Sequence, residues 1–114
     1  MNVLTPRRDA AAAVASTESR PATAIVYDAP DARLVVFRLA PGQRVAPHRS
    51  GSSVILTVLA GAGVVSAEVH EQAVTAGDVI CYSPNELHGM RAVDEELQLL
   101  ATITPRPGTL SPKP

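Results

Sequence analysis

Three histidines and one cysteine are the side chains of this 114-residue chain best suited to chemistry near neutral pH. An imidazole carries a nitrogen lone pair at pH 7 and can ligate a metal, take a proton or accept a hydrogen bond. His48 lies in the stretch Val-Ala-Pro-His and His88 in Asn-Glu-Leu-His. Side chains alternate across a strand, so His48, Ser50 and Val54 share one face, and Leu56 and Val58 continue it. Met90 and Ala92 share the parity of His88. His70 follows a valine at a turn and is expected to be solvated. Cys81 lies in an apolar run and is expected to be a buried strand residue. No acidic residue is placed to orient either His48 or His88, which weakens simple acid–base catalysis. Arg38, Arg44, Arg49 and Arg91 could meet a carboxylate, but Arg49 has the opposite parity to His48 and should point away.

Such side chains need elements to hold them, and the chain reads as short strands between turn signals. Strands are expected at 23–28, 32–40, 44–48, 53–60, 63–69, 72–75, 78–82, 87–92 and 96–104. Pro41-Gly42, Gly61-Ala62-Gly63, Ala76-Gly77-Asp78, Pro84-Asn85 and Asp94-Glu95 are among the breaks. Gly42 and Gly77 suit turns needing positive φ, which costs another residue about 1 kcal/mol or more. Gly61 and Gly63 are read as bracketing a tight hairpin, and Asp78 as a side chain that hydrogen-bonds nearby amides. The strand 53–59 is apolar on both faces, with Val54, Leu56 and Val58 on one and Ile55 and Leu59 on the other. Its outer face needs a cover. A second subunit is the favoured one, giving a homodimer, and the N-terminal arm is the alternative. Residues 1–22 form that arm, with one or two helical turns within Asp9–Ala15. Residues 23–104 form the barrel, and 105–114 a proline-rich tail.

Bulk properties narrow the field. One domain fits the length, and 46% hydrophobic residues suits a globular core. A net charge of −1 with scattered signs gives no basic face for nucleic acid or an anionic membrane. No stretch reaches the ~20 apolar residues of a membrane span. The short Ala10–Ala13 run behind Arg7 and Arg8 fails as a signal-peptide core. A single cysteine forms no intrachain disulfide and suits a reducing, cytoplasmic setting.

Two stretches resemble the cupin superfamily. Its first motif runs Gly, five residues, His-x-His, three or four residues, Glu, six residues, Gly. Here Gly42, His48 and Gly61 fall in register, with Ser50 at the second histidine and Val54 at the glutamate. The second motif runs Gly, five residues, Pro-x-Gly, two residues, His, three residues, Asn. Gly77 and His88 fall in register, while Ser83, Asn85 and Ala92 stand at the Pro, Gly and Asn positions. The resemblance spans about residues 30–105 and implies an all-β fold, an antiparallel double-stranded β-helix or jelly-roll cupin barrel of the RmlC-like type.

The family's three histidines and one glutamate hold a divalent metal inside the barrel, among them zinc, nickel, iron, manganese and copper. Carried over residue by residue, only His48 and His88 remain as metal ligands. Ser50 is a poor ligand beside imidazole, and Val54 is none. Glu86 shares the parity of His88, with its direction left open. Glu68 and His70 fall at a hairpin tip away from the expected mouth. The expected pocket is a narrow apolar cavity lined by His48, Ser50, Val54, Leu56, His88 and Met90, suited to a small organic ligand. Three readings stand: a ligand-binding cupin with weak or no metal binding; a metal-dependent dioxygenase or isomerase in which water or substrate completes the shell; and a structural dimer.

Overall fold

The computed structural model describes residues 1–108. One helix, α1 (Pro6–Ala12), precedes seven strands: β1 (Ala22–Ala29), β2 (Ala32–Leu39), β3 (Arg44–His48), β4 (Ser53–Ser66), β5 (Glu71–Thr75), β6 (Val79–Tyr82) and β7 (His88–Thr104). All pairings are antiparallel, in the order β1-β2-β7-β4-β5, with β3 on β7 and β6 on β4.

Two long strands organise the barrel. The first part of β4, Ser53–Ala60, pairs with Gln98–Thr104 of β7, and β2 and β6 flank this ribbon. The second part, Gly63–Ser66, pairs with Gly89–Ala92, flanked by β3 and β5. One antiparallel ribbon therefore bends in the middle and belongs to both sheets. This is the jelly roll expected from the sequence.

The bend corrects one expected hairpin, at 61–63, and one expected break, at 94–95. Neither 61–63 nor 94–95 ends a strand; each is an irregularity within one. The buried positions show why. In β4 they run 54, 56, 58 and then 63, 65; in β7, apart from Gly89, which has no side chain, they run 88, 90, 92 and then 97, 99, 101. Parity switches once in each strand, as an inserted bulge residue requires. Gly61 sits at φ 78°, where an added Cβ would overlap the carbonyl oxygen of Glu96. A Cβ on Gly63 would come 2.5 Å from the carbonyl oxygen of Arg91. Here glycine permits two backbones to touch at a corner; it does not turn the chain back.

Inward residues form one core. Leu39, Val54, Leu56, Val58, Val65, Val74, Tyr82, Met90, Ala92, Leu97, Leu99 and Ala101 are all buried in it. Burying each full-sized aliphatic side chain contributes about 1.5–3 kcal/mol. Gly42 and Gly77 adopt the expected positive φ, at 85° and 96°. Asp78 accepts the Thr75 amide at 2.8 Å, as its position after Gly77 suggests.

Outward residues meet the N-terminal arm. Pro6 fits the first helical turn because its missing N–H has no intrahelical partner there, so α1 begins earlier than expected from the alanine run. It packs on β1, β2 and β7. Arg38, pointing outward from β2, donates to the carbonyls of Ala10 at 3.1 Å and Ala13 at 2.7 Å. Ala10 and Val36 lose all exposure. The arm thus covers the β1–β2 end of this outer face.

Cys81 corrects another expectation. It is exposed, because β6 turns Ile80 and Tyr82 inward and Val79 and Cys81 outward. The start of the expected tail is likewise folded back. Ser52 Oγ donates to the Pro105 carbonyl at 2.7 Å, and Arg106 pairs with Asp28 at 2.9 Å. Residues 109–114 of the expected tail lie outside the described residues.

Candidate functional site

Strand pairing brings the two motif histidines together. His48 ends β3, His88 begins β7, and they are direct partners in the antiparallel ladder. Their ring centroids lie 4.2 Å apart with planes tilted by 59°. His88 is 5% exposed, whereas His48 lies at the open end and is exposed. Behind His88 stands Tyr82, with ring centroids 5.1 Å apart. Tyr82 donates its hydroxyl to the Ser66 carbonyl at 2.8 Å.

Backbone carbonyls fix both imidazoles. His48 Nδ1 lies 3.0 Å from the Ala46 carbonyl and His88 Nδ1 lies 3.1 Å from the Glu86 carbonyl. A carbonyl oxygen only accepts, so each Nδ1 carries the proton. Burial lowers the pKa of His88 below the usual imidazole value of 6.5. The Glu86 carbonyl opposes this and the neighbouring His48 reinforces it. His88 is therefore neutral at pH 7. Burial also pushes Tyr82 up to about 12, with the charge of Glu86 adding to the rise, and it stays a phenol.

The loop before His88 is held by turn chemistry. Asn85 adopts φ 68°, so the residue standing at the family's glycine position keeps the left-handed conformation that asparagine tolerates better than most. Its amide donates to the Ser50 carbonyl at 2.7 Å. Glu86 folds back to accept the Ser83 amide at 3.0 Å. Glu86 lines a separate depression with Tyr82, His70 and Cys81 and is not among the residues that line the histidine cavity. Glu86 therefore leaves the missing carboxylate position unfilled.

Glu68 departs from its expected place. Its carboxylate pairs with Arg49 and accepts the Leu87 amide at 3.2 Å, beside His88. Arg49 points away from the cavity, as its parity predicts, and also donates to the Asn85 carbonyl at 2.9 Å. His70 is an exposed turn residue whose carbonyl accepts the Ala67 amide at 3.0 Å.

A cavity of about 260 Å³ opens at this end of the barrel. His48, Ser50, Val54, Leu56, His88 and Met90 all line it. Phe37, Ala101, Ile103 and Pro107 complete the wall. Ala101 and Ile103 were legible in principle from the parity of Leu97 and Leu99. Pro107 was not, because nothing local says that the tail returns to the mouth.

The donors present do not make up a cupin metal centre. Val54 is buried carbon at the glutamate position, and the Ser50 oxygen accepts the Ser52 amide at 3.1 Å. Among the described residues, no three histidine, cysteine, aspartate or glutamate side chains are grouped to hold a metal ion. A protein zinc site ordinarily uses at least three such ligands.

Comparison with known proteins agrees with this architecture. The model of the cupin domain family matches residues 35–103. The chain belongs to the cupin family. The TT1209 protein of Thermus thermophilus superposes with a TM-score of 0.82 at 23% identity, covering 94% of this chain and all of that one (100%). An uncharacterized conserved protein with a double-stranded β-helix domain from Klebsiella pneumoniae gives 0.80 at 20% identity, covering 93% and 91%. A predicted oxalate decarboxylase from Thermotoga maritima gives 0.70 at 25% identity, covering 80% and 96%. No protein of curated function matches the chain in sequence. No helix among the described residues is long and apolar enough to cross a membrane.

Proposed function

We propose that this cupin binds a small organic molecule in the cavity between its sheets, with His48 and His88 as the polar contacts and with weak or no metal binding. The observation behind this is the lining: two imidazoles and one hydroxyl set in a wall of Phe37, Val54, Leu56, Met90, Ala101 and Ile103. Ligand pockets typically combine an apolar wall with few convergent polar groups. A small dianion, such as the oxalate in the name of the Thermotoga relative, would meet no lysine or arginine among the described residues of this wall.

Metal analysis of untagged protein, with His48→Ala and His88→Ala alongside, tests the reading. Substoichiometric metal in the wild type is expected. Stoichiometric metal lost in both variants would overturn it in favour of the second reading, a metal-dependent dioxygenase or isomerase. That second reading draws on the 4.2 Å approach of the two rings, which suits two nitrogen ligands with water or substrate completing the shell.

The partner reading remains a homodimer. Ile55 and Cys81 are strand partners, as are Thr57 and Val79, so all four share the outer face. Val79 is 58% exposed there, beyond the part covered by α1. A second copy covering this patch predicts a dimer mass by light scattering at micromolar protein, lost in Val79→Asp; a monomeric wild type would overturn it. The exposed thiol of Cys81 favours a reducing, cytoplasmic setting.

A further inference from the structure

Both motif imidazoles border the cavity, and both commit the same nitrogen to the backbone. Each Nδ1–H is committed to a backbone carbonyl, at 3.0 Å for His48 and 3.1 Å for His88. In a neutral imidazole bonded in this way the unprotonated nitrogen is Nε2, an acceptor. Among the described residues no sealed polar side-chain atom lacks a partner, and Nε2 of His88 makes no hydrogen bond to any of them. That atom must therefore open onto accessible space, and the cavity is the space His88 borders.

The third polar group is complementary. Ser50 Oγ already accepts the Ser52 amide at 3.1 Å, which leaves its hydroxyl proton to donate. The cavity thus offers two acceptors and one neutral donor. Among the described residues its wall carries no carboxylate, lysine or arginine. A buried anion would meet one donor and no cation, and a buried cation would meet no anion; either desolvation is costly. A hydroxyl group matches instead, because it donates to Nε2 and accepts from Ser50 through the same oxygen.

We propose that the ligand is an uncharged hydroxy compound with an apolar body of about one ring and a short chain, a phenol or alcohol, held by donation of its hydroxyl proton to Nε2 of one of the two imidazoles. The assignment rests on reading the cavity as a ligand pocket. The volume of about 260 Å³ limits the body's size, and Phe37 and Met90 offer it aromatic and thioether surface.

Titration of full-length protein with 4-propylphenol, its methyl ether and 4-propylbenzoate, in chelator and followed by NMR, tests this. The phenol should bind roughly three- to tenfold more tightly than the ether, the usual worth of one hydrogen bond, and the benzoate most weakly. The phenol–ether ratio should fall in part in His48→Leu, an exposed position at the end of β3, and to near one in the double variant His48→Leu with His88→Leu. Long-range proton–nitrogen spectra of the wild type should show Nδ1–H on both rings. Equal binding of phenol and ether, tightest binding of the benzoate, or an Nε2–H tautomer on both rings would overturn the ligand class while leaving the pocket standing. Binding by none of the three would overturn both.

Discussion

Arg49 and Glu68 form a two-pronged ion pair just outside the site, with the second prong at 3.1 Å. Arg49 is next to His48 in sequence, and Glu68 accepts the amide of Leu87, next to His88. The pair therefore ties together the two segments that carry the imidazoles. Both side chains are about half exposed, and such pairs add little to global stability.

Glu68→Gln should accordingly leave the melting temperature nearly unchanged. Amide exchange at Leu87 and Asn85 should quicken severalfold, and concentrated salt should mimic part of the effect in the wild type. The Arg49 contact and the Leu87 amide hold the Glu68 carboxyl below its usual 4.5, so the tie should persist until pH falls through that lowered value. Unchanged exchange at Leu87 would show that the pair restrains nothing.

His88 should make stability depend on pH. Its folded pKa lies below the usual 6.5 because it is buried. As pH falls through 6.5, the unfolded chain takes up a proton that the folded chain refuses. Its contribution is thus whole above that pH and declines as pH falls toward the lowered value. The melting temperature should drop between pH 7.5 and 5.5, and less so in His88→Gln. Parallel pH curves for the two proteins would refute this.

Restoring the family's ligands should create a metal site. Ser50→His with Val54→Glu places a third imidazole and a carboxylate on the face that already holds His48. The metal-free variant should be less stable, since position 54 is only 4% exposed and would bury a charge. Zinc or nickel should bind stoichiometrically and raise its melting temperature. No metal-dependent rise would mean that position 54 does not face the histidines closely enough.

Two glycines with similar φ should respond differently to alanine. At Gly77 nothing lies within 4 Å of an added Cβ, so only the backbone strain of φ 96° remains, about 1 kcal/mol. At Gly61 the methyl would overlap the Glu96 carbonyl, and the loss should exceed that at Gly77 by about 2 kcal/mol or more. Equal losses by chemical denaturation would remove the role assigned to close approach at the corner.

Much of the barrel was legible in the sequence because alternation and turn residues act locally. Gly42, Gly77 and Asp78 do what their neighbours imply, and the faces of Val54, Leu56, His88 and Met90 follow from counting by twos. The corner at Gly61 reads as a hairpin because a glycine needed for close approach looks like one needed for a turn; only the partner strand distinguishes them. Residue type misleads at Cys81, where strand parity governs. Glu68 and Pro107 reach the site through tertiary folding that no local signal encodes. Nor could the sequence show that Glu86 spends its carboxylate on Ser83.

The continuity of β4 and β7 through both sheets has a consequence for how the molecule assembles. Neither sheet can be completed while the other is absent, since each borrows half of the same ribbon. The barrel has no separable half and should fold in a single cooperative step, slowly, because its pairings join residues distant in the chain. Backbone cleavage or circular permutation should be tolerated at the exposed turn near Val69, and should abolish folding between Gly61 and Gly63.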